Sequence, residues 1–301
     1  MKQLSVPNID SVALYNDIAK NKIKRNHECS KCNADHCDSC VEGNSGLMLF
    51  MKNDIFERYK FYEDHKHDLN KIKEVNLLSD NQSDVFRASY KNSKVFQKSR
   101  QIILHNLPDK SNIRCPYCGL SMSHTIDHYF PESPYPEYIF YVPNLIPCCS
   151  RCNTVKNKNL FKNNERMFLH FYYDPIPSYQ FLKAKFRVDN NIPTISFYLE
   201  FDEENEVNNV IQHHFDELSL IEQYGKSYNE LLTEIINLAI EHLENGQTFD
   251  EFKETLEFNT NAKKKTYGVN FYITAIYTAI CENIDDLKKW IYQTKVIKSD
   301  V

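Results

Sequence analysis

At 301 residues, 42% hydrophobic and 26% charged, the chain can bury a full core and hold two or three subdomains. Its net charge of −5 excludes a uniformly basic nucleic-acid binder, so any grip on nucleic acid is local or supplied by a partner. Ten cysteines, grouped as four, two and three with Cys281 alone, argue for metal in a reducing compartment over a disulfide lattice.

The opening MKQLSVPNIDSV has no apolar h-region, and the apolar run from Leu47 to Met51 is far too short to span a bilayer. These readings place the protein in the cytoplasm, away from membrane. A helix is expected from about Asn8 to Asn26, capped by Asp10 or Ser11, with Val12, Leu14, Tyr15, Ile18 and Ala19 supplying an apolar stripe. HECSKCNADHCDSC follows. Cys29, Cys32, Cys37 and Cys40 form two CxxC units with four residues between them, a spacing that can wrap one zinc ion as a knuckle. An iron–sulfur cluster or a redox dithiol also suits four such thiols. Residues 47–105 read as mostly helical. One amphipathic helix runs through Leu47, Ile55, Tyr59 and Tyr62, and a second from Val85 to Leu104 carries Arg87, Lys91, Lys94, Lys98 and Arg100. That basic row is either a solvated face or a surface tracking a phosphate backbone. His65 and His67 read as part of a charged helix end.

The densest chemistry lies in CPYCGLSMSHTIDHYFPESPYPEYIFYVPNLIPCCSRCNTVK, from Cys115 to Lys156. Cys115/Cys118 and Cys149/Cys152 are two CxxC knuckles, and two such knuckles complete the tetrahedral sulfur shell that zinc prefers. Cys148 is excluded because only Cys149 gives CxxC with Cys152. Gly119 stands where the first knuckle needs a positive φ. Between and after the knuckles come Asp127, His128, Asn144 and Asn153. A carboxylate or amide oxygen can hold a hard ion such as Mg²⁺, and a neutral imidazole can take a proton from water. Pro131, Pro134, Pro136 and Pro143 keep the middle out of regular helix. Its tyrosines and phenylalanines are expected to pack a small core, with one or two left to stack on a sugar or base. Arg151, Lys156, Lys158, Lys162 and Arg166 form a second basic stretch, and phosphate contact is its natural reading. His170, in LHFYYD, reads as a packed histidine or as a group near phosphate.

DHYFPES, YPEY and PNLIPCCSRCNTVK resemble the HNH endonuclease motif, the ββα-metal fold in its zinc-stapled form. The resemblance covers about residues 115–156 and continues weakly into FLHFYYD. It implies that Asp127 is a metal ligand, His128 the general base, Asn144 the residue that holds the loop and orients the base, and Asn153 a second metal ligand. Lys156 matches a basic residue common one turn along the helix. Asn153 stands where many relatives have His, which makes this an HNN variant. Glu132 stands where related sequences often carry Lys. The resemblance further implies Mg²⁺ or Mn²⁺ at the centre, structural Zn²⁺ at the knuckles, DNA over RNA as substrate, and contact with nucleic acid through Arg151, Lys156, Lys158 and His170. Bacterial HNH proteins with helical flanks include phage-defence and restriction effectors. Some, such as the nuclease subunit of the Septu system, work beside an ATPase, and this chain has no Walker-type run of its own.

Downstream, KAKFRV–DNNIP–TISFYLEF over residues 183–201 reads as a β-hairpin. Helices follow over Asp216–Glu244 (broken near Gly225), Phe249–Phe258, Tyr267–Cys281 and Ile284–Thr294. The acidic run from Asp202 to Glu206 would face away from DNA or toward a protein partner. The expected class is α+β, with a helical region 1–106, an HNH module 107–175 and a hairpin-plus-helix region 176–301. A non-catalytic zinc adaptor that binds protein or nucleic acid is the alternative reading, and an RNase is a third.

Overall fold

A computed structural model describes residues 1, 3–23, 44–105 and 114–294. The expected knuckle at Cys29, Cys32, Cys37 and Cys40 lies outside the described residues. The fold is α+β and forms two compact units, Gln3–Asp174 and Pro175–Val301 with Met1–Lys2. The helices before residue 106 and the segment after it share the first unit.

In that unit α1 (Ser11–Ile23) packs against α2 (Asn44–Asp64), where the Tyr15 hydroxyl donates to the Met48 carbonyl at 2.8 Å. Next come α3 (Asp80–Asn92) and α4 (Lys94–His105). The single helix expected from Val85 to Leu104 is therefore two. Ser93 is the reason: its backbone is extended, and its Oγ accepts from the Phe96 N–H at 3.3 Å. A serine that bonds nearby backbone stops one helix and caps the next. The start of α3 is earlier than expected because Ser79 and Gln82 form a reciprocal capping box.

A short antiparallel pair follows, β1 (Thr125–His128) with β2 (Leu145–Cys148), and then α5 (Ser150–Lys156). The proline-rich connection between the strands folds onto the N-terminal helices. Glu137 is ion-paired with Arg58 of α2 at 3.1 Å, and the Val142 N–H donates to Ser11 Oγ. Tyr129, Phe130, Tyr135, Tyr138, Phe140 and Tyr141 are all buried. The expectation that one or two of them stack on a ligand is corrected, because they build the core around Tyr62 and Phe86 instead. A small hairpin, β3 (Phe161–Lys162) with β4 (Glu165–Arg166), ends in the bidentate Arg166–Asp174 ion pair.

The second unit is built on β5 (Leu182–Asp189) and β6 (Ile192–Leu199), paired antiparallel over their full length. Asn190 and Asn191 both adopt positive φ, as the tight turn of a hairpin requires. Helices α6 (Glu206–Glu217), α7 (Leu220–Ser227), α8 (Asn229–Glu244), α9 (Phe249–Tyr267), α10 (Tyr272–Glu282) and α11 (Ile284–Thr294) complete it. The helix expected over Asp216–Glu244 breaks at Ser219, which has positive φ, and at Tyr228; Gly225 lies inside α7. Among the described residues no helix is long and apolar enough to cross a membrane.

Candidate functional site

Cys115 and Cys118 lie on a knuckle ahead of β1. The Gly119 N–H donates to the Cys115 carbonyl at 2.7 Å, and Gly119 takes φ +70°, as its position in the sequence demanded. Cys149 is the N-cap of α5, and its sulfur accepts from the Cys152 N–H. The four sulfurs lie within 4.8 Å of one another, all buried, with Cys118 and Cys149 3.9 Å apart. A tetrahedral zinc with Zn–S bonds of about 2.3 Å sets its sulfurs about 3.8 Å apart, so the four can hold a metal such as zinc. Cys148 stays out of the cluster; its sulfur meets Thr125 Oγ1 at 3.3 Å. Hydrogen bonding among the four sulfurs pulls the Cys118 and Cys149 thiols below the ordinary cysteine pKa, while burial and the same bonding push Cys115 and Cys152 above it. Crowded thiols that compete for protons in this way are ready to exchange them for a cation.

The pair Asp127-His128 ends β1, so strand alternation sends the two side chains to opposite faces. Asp127 turns inward and is 2% exposed. Its Oδ2 accepts from the Tyr117 hydroxyl at 2.7 Å and from Lys156 Nζ at 2.9 Å, and its Oδ1 accepts from Lys156 Nζ at 3.0 Å. Lys156 is fully buried and also donates to the His128 carbonyl at 2.8 Å. The reading of Lys156 as a phosphate contact is therefore corrected: α5 turns this lysine inward, where Asp127 neutralises it.

His128 is partly accessible, with a tenth of its side chain exposed. Its Nε2 lies 3.2 Å from the Ile139 carbonyl, and its ring packs on Tyr90 of α3 with centroids 4.7 Å apart. A carbonyl only accepts, so Nε2 carries the proton and Nδ1 keeps its lone pair. Nδ1 lies 4.0 Å from Glu132, and burial lowers the imidazole below its ordinary pKa. The neutral ring thus presents a base.

Asn144 is fully buried and clamps the backbone just past His128. Its Oδ1 accepts from the Phe130 N–H at 2.7 Å, its Nδ2 donates to the Phe130 carbonyl at 3.0 Å, and its own carbonyl accepts from the Tyr129 N–H. These bonds hold the chain on either side of Phe130 in place. Any effect on the imidazole is carried by this backbone, since the ring's own hydrogen bond goes to Ile139. Asn153, in the first turn of α5, is half-buried, with Nδ2 3.5 Å from the Ile126 carbonyl. Among the described residues its Oδ1 accepts no hydrogen bond.

Asp127 and Asn153 fit a hard cation in donor chemistry: one lone pair is left on Asp127 Oδ1, and the Asn153 amide oxygen is open. The Lys156 ammonium must then share the carboxylate. Arg151 and Lys158 are exposed on and just after α5. His170 is fully buried; Tyr172 N–H donates to its Nδ1, and Nε2 bonds the Tyr62 hydroxyl at 2.9 Å. Its reading as a nucleic-acid contact is corrected, because the aromatic core encloses it. Tyr117, Tyr90 and the Ile139 carbonyl were missed. Tyr117 carried a local signal, since it sits between the two knuckle cysteines. Tyr90 carried none, being one of 19 tyrosines on a distant helix.

No protein-family model matches the chain, and no solved structure does. It is similar to Protein ea31 of Escherichia phage lambda, 31% identical over 134 residues. The match covers 41% of this chain and 45% of that protein, so the chain spans under half the length of this relative.

Proposed function

We propose that the protein is a metal-dependent HNH endonuclease that hydrolyses phosphodiester bonds. The observation that carries the reading is a neutral His128 at the end of a strand that also carries Asp127, paired with a second strand and followed by a helix carrying Asn153, with the strand pair and helix joined by a four-sulfur cluster. In this reading His128 takes the proton from the attacking water. The Ile139 carbonyl holds the imidazole in the tautomer that can do so, and the Tyr90 ring packs against its face. Asn144 fixes the chain beyond it. Asp127 and Asn153 would hold Mg²⁺ or Mn²⁺, which stabilises charge on the scissile phosphate and the leaving oxygen. Zn²⁺ at Cys115, Cys118, Cys149 and Cys152 ties the strand pair to α5. Arg151 and Lys158 are exposed cations on and just after α5 that would meet phosphate. DNA is the favoured substrate, and an ATPase or another protein is a partner such an enzyme could work beside; both rest on the resemblance in the sequence, and the cytoplasm is the compartment that the CxxC pairing of the cysteines favours.

The test is incubation of purified protein with plasmid, single-stranded DNA and RNA in Mg²⁺, Mn²⁺ or EDTA. Cutting that needs the divalent ion is expected, and the substrate cut separates DNase from RNase. One observation favours a non-catalytic zinc adaptor, the ammonium already seated on Asp127. Folded, zinc-loaded protein that binds but cuts nothing, even with the proteins encoded beside it, would decide for the adaptor.

A further inference from the structure

In the second unit one face of the β5–β6 ribbon is covered and the other open. Leu182, Phe186, Ile195 and Phe197 are buried beneath α7 and α10. The opposite face carries Lys183, Lys185 and Arg187 along β5, directly across from Tyr198, Ser196 and Thr194 of β6, and ends at the turn in the exposed Asp189, which accepts from Thr194 Oγ1. Residues two apart on a strand lie about 6.7 Å apart, so the three cations form a regular row. Lys185 and Arg187 are exposed, and neither makes an ion pair among the described residues. Lys183 has only a loose pair with exposed Glu200, at 3.9 Å. Tyr198 is 43% exposed beside the row. The ribbon is also held at both ends. Asn270 accepts from the Phe181 and Leu182 N–H groups, and Trp290 donates to the Asn191 carbonyl at the turn.

We propose that this face binds single-stranded nucleic acid. A straight row of cations at even spacing matches a regularly repeating anion, the sugar–phosphate backbone, better than the irregular carboxylates of an acidic peptide. The exposed Tyr198 ring beside it offers a base a stacking surface. In a chain of net charge −5 such a row is a local concentration of positive charge. The proposal concerns binding and does not depend on the nuclease reading.

The test is fluorescence anisotropy of a labelled oligothymidine with the full, zinc-loaded chain and no added Mg²⁺ or Mn²⁺, where the proposed cleavage is off, across a salt series. Lys185→Ser/Arg187→Ser lies on the solvent face and should fold normally by circular dichroism. Its affinity should fall at least about tenfold at low salt, and its slope of log affinity against log salt should flatten by about 1.4, two contacts' worth for a single strand. Tyr198→Ser should weaken binding roughly tenfold and leave the slope unchanged. Three results would overturn the proposal: no binding by wild type at low salt, equal binding by wild type and the double variant, or displacement of the oligonucleotide at least as readily by polyglutamate as by unlabelled oligothymidine. The last would identify an acidic protein as the partner.

Discussion

A buried ammonium is costly unless a carboxylate and further acceptors meet it, and Lys156 meets Asp127 at 2.9 Å and the His128 carbonyl at 2.8 Å. Those contacts fix both residues at the end of β1. Lys156→Met should therefore destabilise the protein by about 3–5 kcal/mol in denaturant unfolding, because Asp127 is left as an unpaired buried charge. Adding Asp127→Asn should recover part of that loss. A single variant within about 0.5 kcal/mol of wild type, the range of an ordinary surface substitution, would show that the pair does not hold the site. His170 gives the pH prediction. It faces Tyr62, Tyr129, Tyr173 and the Arg166–Asp174 pair, and burial, reinforced by the Arg166 charge, holds its folded pKa well below 6.5. In the unfolded chain it protonates near 6.5, so below that pH the unfolded state binds the extra proton and stability falls. Melting temperature should drop as pH falls from 7 to 5, and His170→Gln should flatten the drop. An identical pH slope in both proteins would contradict this account.

At the scale of elements, the four-sulfur cluster links the first knuckle to the start of α5, while β1 and β2 are only four residues each. So short a pair cannot hold itself together, and a metal held by the four sulfurs would supply what the sheet lacks. Cys152→Ser should carry one equivalent of zinc fewer than wild type by metal analysis and should lose protection of β1, β2 and α5 in hydrogen exchange. Unchanged metal content would remove zinc from this cluster. The cluster was legible in the sequence because CxxC spacing is local chemistry, and so were the β5–β6 hairpin and its Asn-Asn turn. Helix breaks were less legible. Gly225 drew attention as a break, yet Ser93 and Ser219 make the breaks, one through its side chain and one through its backbone. Side-chain direction was the largest gap. Lys156 and His170 lie in a basic or aromatic run that says nothing about which way each residue turns. Tyr90 reaches His128 through a contact 38 residues long in sequence.

The whole molecule places two kinds of surface on two units: a candidate hydrolytic centre in residues 3–174, and a basic ribbon in residues 175–294. Binding and cutting should therefore respond to different substitutions. The oligothymidine assay reads the ribbon with no Mg²⁺ or Mn²⁺ added, and cleavage reads His128. The measurement that tests the central claim most directly compares plasmid cleavage by wild type and His128→Ala, both zinc-loaded and folded, with Mg²⁺ and with no added divalent ion. Loss of a general base should slow metal-dependent cutting by about 10²–10⁴-fold while leaving zinc content and melting temperature close to wild type. Equal metal-dependent cutting by the two proteins would contradict the assignment of His128 and, with it, the reading of this site as a nuclease centre.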